Sequence, residues 1–284
     1  MRARLSNDAW MEIIRERDDR SRLRAALFDF DGTLSLIREG WQDVMIPMMV
    51  EVLLETPRAE SRKELEWVVK QFVTDLTGLQ TIYQMIRLAE EVGKRGGTPR
   101  GPLEYKWEYL RRLDMRIADR IRGLEKGDRR PEEFLVPGAA VLLQALRDRG
   151  VVLYCASGTD ELYCRHEADL LGLGAFFAGG VRGAIDDYKK FSKRKVIQSI
   201  IAEYALSGGE LACAGDGFVE IEEGVAVGAH TVGVATREEV LLGGETKEPL
   251  VDEWKRERLI AAGADVIIPD FRHAARLVAY LFGE

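Results

Sequence analysis

Two aspartates stand one residue apart at the end of an apolar run, Ala25-Ala26-Leu27-Phe28-Asp29-Phe30-Asp31, and Gly32-Thr33 follows at once. In an extended chain residues i and i+2 point to the same side, so both carboxylates face one place and repel each other. A buried pair of that kind is costly unless a cation offsets it or one member keeps a proton. A hard, oxygen-ligated ion such as Mg²⁺ is the natural companion. A carboxylate held beside it can attack phosphorus and carry an aspartyl phosphate. The bland alternative is an acidic turn that ends a strand.

Three further groups follow in order. The apolar run Val151 to Cys155 leads into Ala156-Ser157-Gly158-Thr159, whose hydroxyls and amides ahead of a helix suit a phosphate. A lysine-rich stretch, Lys189-Lys190-Phe191-Ser192-Lys193-Arg194-Lys195, opens a helical pattern just after Tyr188. The run Leu211 to Ala214 leads into Gly215-Asp216-Gly217-Phe218-Val219-Glu220, a second acidic pair at i and i+4, one turn apart at a helix start.

The elements that must position these groups read as an α/β fold with a doubly wound parallel sheet. Arg24 to Phe28, Val151 to Cys155, Leu211 to Ala214, Thr231 to Ala235 and Asp265 to Ile268 are continuous apolar runs, the pattern of strands buried on both faces. Helical stretches at Gly138 to Arg149, Asp160 to Leu171, Lys193 to Leu206, Val219 to Gly228 and Phe271 to Leu281 alternate with them. The chemical groups fall at the carboxyl ends of strands, where ligands bind in such sheets. Ser6-Asn7-Asp8 reads as the cap of a further helix over Ala9 to Arg17.

Between about Ile37 and Pro131 the alternation stops. Amphipathic segments at Trp41 to Glu55, Ala59 to Leu76, Thr81 to Val92 and Leu103 to Leu124 predict an inserted helical domain, with Pro47 bending its first helix and Gly93 to Gly101 forming an internal turn. The expected division is a core of residues 1–36 and 132–284 with a helical domain at 37–131.

Composition limits the function classes. At 284 residues, 46% hydrophobic and 31% charged, the chain has the make-up of a globular protein with one ordinary domain and a smaller one. No run is long and uncharged enough for a membrane-spanning helix, and the N-terminus lacks a signal-peptide pattern, so the expected location is cytoplasmic. The net charge of −7 argues against nonspecific nucleic-acid binding, and the Arg15 to Arg24 and Arg111 to Arg130 clusters read as solvated helix faces. Cys155, Cys164 and Cys213 lack metal spacing and read as reduced core residues. His166, His230 and His273 read as structural.

Together and in order, Asp29-Phe30-Asp31-Gly32-Thr33, Ser157, Lys193 and Gly215-Asp216 with Glu220 resemble the four motifs of the haloacid dehalogenase superfamily of phosphotransferases. The resemblance includes a helical cap inserted after the first motif. It implies Asp29 as nucleophile and Asp31 as general acid and base. It implies Mg²⁺ held by the Asp29 carboxylate, the Asp31 main-chain carbonyl and Asp216, with Glu220 acting directly or through water. Ser157 and Lys193 would bind the phosphoryl oxygens, with Gly32, Thr33 and Gly158 beside the substrate. Two departures stand out. Glu220 occupies a position where many relatives have aspartate, and three lysines compete. Lys193 is favoured because it opens the Val196-Ile197-Ile200 pattern; Lys190 and Lys195 are its rivals.

The interrupted run Thr74 to Thr81 either sets backbone amides and Gln80 over the active site as substrate contacts or is a plain helix–helix turn. Arg38 either meets a substrate anion or pairs at the surface, the second reading being favoured. The leading functional expectation is a Mg²⁺-dependent phosphatase of a small sugar or polyol phosphate. The alternative is a sugar phosphomutase, and a third reading is a non-catalytic binding protein. Haloacid dehalogenases lack the second aspartate of the first motif, so Asp31 favours phosphate-ester chemistry.

Overall fold

The computed structural model describes residues 4–5, 10–18, 22–242 and 250–284. Among these, eight strands form one sheet in the order β1-β2-β8-β7-β6-β3-β4-β5. The strands are β1 (Arg4–Leu5), β2 (Glu12–Ile13), β3 (Ala25–Phe28), β4 (Val152–Asp160), β5 (Gly180–Ala184), β6 (Leu211–Gly215), β7 (His230–Val234) and β8 (Val266–Ile268). β3 to β8 pair in parallel, whereas β1 and β2 add antiparallel at one edge. The sheet is therefore the doubly wound α/β architecture that the apolar runs predict.

β3 lies between β4 and β6 and is buried along its whole length. Its side chains alternate between two cores, as a period of two requires: Ala26 and Phe28 join one cluster, Ala25 and Leu27 the other. The chain leaves β3 toward β4 and β5 and later returns to its other side for β6, β7 and β8. That reversal opens a crevice at the carboxyl end of β3.

Four helices stand between β3 and β4: α1 (Gln42–Leu54), α2 (Arg62–Asp75), α3 (Thr81–Lys94) and α4 (Pro102–Lys126). Their ends have local causes. Ser61 and Glu64 form a capping box at the start of α2, and proline begins α4 where its missing N–H costs nothing. Gly127, at φ 72°, closes α4 in the left-handed conformation. Pro47 lies inside α1 without ending it. Buried Ile82, Met85, Leu88 and Val92 form the stripe that seats α3.

The remaining helices cover the sheet: α5 (Ala139–Asp148), α6 (Glu161–Leu170), α7 (Lys193–Tyr204), α8 (Phe218–Ala226), α9 (Glu238–Leu242), α10 (Glu253–Ala262) and α11 (Ala274–Phe282). The three cysteines are free and buried. No helix among the described residues is long and apolar enough to cross a membrane.

One expectation fails at the N-terminus. Residues 10–17 are not helical; Glu12 and Ile13 instead pair with Ile267 and Val266 of β8. An open sheet edge offers backbone partners that outweigh a weak helical preference, and burial of Trp10 beside the His273 ring anchors the strand. The supposed cap, Ser6-Asn7-Asp8, lies outside the described residues.

Gly138, which precedes α5, has φ 82°, and a Cβ there would overlap the carbonyl of Phe271. Gly138→Ala is expected to lower unfolding free energy by about 2–4 kcal/mol. A urea titration should show an earlier midpoint; an unchanged midpoint would contradict this packing.

Candidate active site

The chain turns sharply after β3. The Asp29 N–H still donates to Ala214 of β6 at 2.9 Å, and the Phe30 carbonyl then collects the N–H groups of Thr33, Leu34 and Ser35. Gly32, at φ 72°, allows this turn, and a Cβ on it would strike the Asp216 carboxylate. Asp29 and Asp31 both face the crevice, yet their partners differ. Asp29 Oδ1 accepts from the Phe30 N–H at 2.8 Å, and Oδ2 accepts from Lys193 Nζ at 2.7 Å. Asp31 Oδ2 accepts from Thr159 Oγ1 at 2.8 Å and Ser157 Oγ at 3.2 Å. Its Oδ1 is buried without a hydrogen bond, 3.9 Å from Arg38 Nε.

Lys193 is the lysine that enters the site. It begins α7 behind the N-cap Ser192, and its buried Nζ lies 2.7 Å from both Asp29 Oδ2 and Glu220 Oε2. Lys190 instead pairs with Asp187 in the open, and Lys195 reaches the Lys189 carbonyl. Glu220, wholly buried in the first turn of α8, also accepts from the Gly217 N–H at 2.8 Å.

Burial governs the proton affinities. It pushes Asp29 up to about 6 despite the adjacent Lys193 charge. It pushes Asp31 to about 6 against the pull of Arg38, and Glu220 to about 7 against that of Lys193. Burial opposes the Lys193 charge too, but Asp29 and Glu220 more than compensate and hold that ammonium above its ordinary value.

Asp216 follows β6 and is fixed by Thr33, whose Oγ1 accepts from the Asp216 N–H at 2.9 Å and donates to Oδ1 at 3.2 Å. This corrects the expectation for Thr33: it is fully buried and braces the loop, and it does not line the cavity. Asp216 Oδ2 accepts from Lys255 Nζ at 2.8 Å, and Lys255 also donates to Glu238 Oε1 at 2.6 Å. Neither Glu238 nor Lys255 is marked by the motifs. Glu238 does lie just beyond the β7 run, on the edge that carries the other acids, and that position is a usable signal.

One oxygen from each of Asp29, Asp216 and Glu220 falls within 4.8 Å of the others. The Asp31 carboxylate is not in this group, being turned toward Ser157 and Thr159. The donors are hard oxygens on buried acids, so the set fits a divalent cation.

The turn between α2 and α3 covers the crevice. The Leu79 carbonyl would lie 2.8 Å from a Cβ on Gly158, and the Gly78 Cα 3.2 Å from one on Gly217. The turn thus rests on the end of β4 and on the loop after β6, closer than it could approach if those glycines carried side chains. Gln80, however, is not a cavity residue. Its amide donates to the carbonyls of Tyr188 and Phe191 at 3.2 and 2.9 Å, fastening the turn to the core. Thr77, Thr81 and Gln84 line the cavity instead, which spans about 820 Å³ including its mouth. Arg38 corrects the surface reading: it is buried, lines the cavity, and grips Glu167 with contacts of 2.6 to 3.1 Å.

With this geometry in hand, the comparisons with known proteins agree. The family model for haloacid dehalogenase-like hydrolase matches residues 23–228, and the chain belongs to that family. No curated protein matches its sequence. Among solved structures, a predicted phosphoglycolate phosphatase from Haemophilus somnus is similar, with 15% identity and a TM-score of 0.57 over 90% of this chain and 98% of that one. A β-phosphoglucomutase from Clostridium difficile has 13% identity and a TM-score of 0.52 over 84% and 98%. A phosphonoacetaldehyde hydrolase-like protein from Oleispira antarctica has 14% identity and a TM-score of 0.59 over 93% and 94%. At these identities the likeness is one of fold.

The raised carboxyls make cation binding depend on pH. Unfolded, Asp29 and Glu220 titrate near 3.8 and 4.5; folded and metal-free, near 6 and 7. Their burial therefore costs nothing well below pH 4, and the full cost applies only above about pH 7, as ionisation completes. A cation must displace their protons at low pH and relieves that cost at high pH. Mg²⁺ binding is expected to tighten from pH 5 to 8, with proton release on binding at pH 6 that fades by pH 8. Calorimetric titrations in buffers of different ionisation enthalpy measure both, and pH-independent binding would contradict the assignment.

Proposed function

We propose that this hydrolase is a Mg²⁺-dependent phosphatase of a small sugar or polyol phosphate, working through an aspartyl phosphate on Asp29. The observation that carries the reading is the pair of carboxyls at the end of β3, held in two different environments. Asp29 sits against an ammonium and beside the other acids, and Asp31 sits against hydroxyls, with its other oxygen near Arg38 and free of hydrogen bonds. Environments that separate two carboxyls in this way separate their roles.

In the proposed reaction an Asp29 oxygen attacks phosphorus as the bond to the ester oxygen breaks. Asp31, whose burial favours the protonated form, gives its proton to the departing oxygen. As a carboxylate it then takes a proton from the water that attacks the phosphoryl group, which frees Asp29 and releases phosphate. Lys193 holds Asp29 in place, and the Ser157 hydroxyl orients Asp31. Mg²⁺, held by Asp29 and Asp216 with Glu220 behind or beside them, would neutralise charge on the phosphoryl oxygens.

Residues 37–131 serve in this reading as the cap over a core of residues 1–36 and 132–284. The cavity residues supplied by α1, α3, α4 and the α2–α3 turn include no carboxylate, imidazole or lysine among those described. In a mutase Asp31 would have to activate the sugar hydroxyl without help from these helices, which favours hydrolysis as the reading. A cytoplasmic location is part of the proposal, supported by three buried thiols that form no disulfide.

Asp29→Asn is expected to lower phosphate release from p-nitrophenyl phosphate by at least about a thousandfold while leaving the circular dichroism spectrum unchanged. Turnover near that of the wild type would rule out the covalent route.

A further inference from the structure

Two polar side chains on the inserted helices have no use in the proposed chemistry. Gln84 on α3 and Tyr109 on α4 are only 3% and 4% exposed, and both line the cavity that holds Asp29 and Asp31. Neither forms a hydrogen bond with any described residue. Their polar atoms still reach the cavity space, so a molecule held there can complete them. Trp41, Met45 and Leu110 wall the same space with apolar surface. A few convergent polar groups on an apolar wall are the usual make-up of a small-molecule site.

The charges nearby set a second condition. Arg38 is the one cationic side chain among the described residues lining the cavity, and Glu167 holds it through a nearly buried ion pair. Asp160 and Glu238 add further negative charge to the lining beside Asp29, Asp31 and Asp216. Their cationic partners, Lys106 and Lys255, are not part of the lining. Arg38 leaves only Nη1 without a hydrogen bond, and its charge is already met by Glu167 and Asp31, so a second anionic group on the substrate would lose its water among more acids than cations.

We infer that Gln84 and Tyr109 recognise the alcohol part of the substrate, and that this alcohol is uncharged and hydroxyl-bearing. The inference rests on the phosphatase reading and narrows it. An amide and a phenol each donate and accept, as a hydroxyl requires, and the Trp41 face suits a carbon skeleton. The same surroundings disfavour phosphate esters that also carry a carboxylate.

The test uses the full chain with Mg²⁺ and two matched pairs of esters, glycerol phosphate with phosphoglycerate and sorbitol phosphate with phosphogluconate. Each pair differs by a hydroxymethyl group against a carboxylate. p-Nitrophenyl phosphate serves as the ester with no hydroxyl to recognise. The wild type is expected to favour the polyol member of at least one pair by about tenfold or more in kcat/KM. Gln84→Leu and Tyr109→Phe should each raise KM for that polyol ester by about three- to tenfold, the usual worth of one hydrogen bond, and raise it for p-nitrophenyl phosphate by a clearly smaller factor. Equal or better turnover of the carboxylated members would overturn the inference. So would variants that lower activity equally on every ester, since that pattern belongs to a structural role. Wild-type protein that releases phosphate from none of the five esters would overturn the phosphatase reading, and this inference with it.

Discussion

A single buried ammonium organises the site. Lys193 Nζ, 2.7 Å from Asp29 and 2.7 Å from Glu220, ties the end of β3 to the first turn of α8 and to the start of its own helix. Without it, two carboxylates would be buried with no counter-ion in contact, a situation that costs several kcal/mol and drives the groups to protonate. Even with it, burial keeps Asp29 and Glu220 well above their ordinary proton affinities. The site therefore carries more acid than its own cations neutralise, and that surplus is the physical reason a divalent ion belongs there. Lys255 repeats the device on the far side, between Asp216 and Glu238.

The second constraint is topological. Because β3 is flanked in parallel by β4 and β6, the loops after all three strands converge on one crevice. The helices inserted after β3 return over that crevice, and glycines on both sides allow contact without side chains between them. Gln80 pins the covering turn through two backbone carbonyls, and Lys106 on α4 pairs with Asp160 at the end of β4. Chemistry thus comes from strand ends and enclosure from helices.

Much of this was legible in the sequence because the relevant signals are local. Apolar runs located the parallel strands beside β3, and amphipathic periods located all four inserted helices to within a few residues. The acids at 29, 31, 216 and 220 stood out by spacing, as did the lysine cluster, whose choice among 190, 193 and 195 followed from the helical phase of Val196, Ile197 and Ile200. What escaped depends on partners distant in sequence. Arg38 is buried only because Glu167 meets it from α6. Thr33 is drawn to Asp216, 183 positions away. The edge strand at Glu12–Ile13 exists because β8 offers it a ladder. Gln84 and Tyr109 carry no local signal, because what encloses them is the folding of α3 and α4 over the core.

The central claim is that the Asp29 carboxylate becomes covalently attached to phosphorus. The most direct test mixes the protein with Mg²⁺ and an activated phosphate ester, quenches in acid within milliseconds, and maps phosphoryl mass onto peptides by mass spectrometry. The account predicts label on the peptide carrying Asp29, appearing before steady-state phosphate release and persisting longer in Asp31→Asn, where water lacks its base. Steady turnover with no label on that peptide at any quench time, in wild type or in Asp31→Asn, would contradict it.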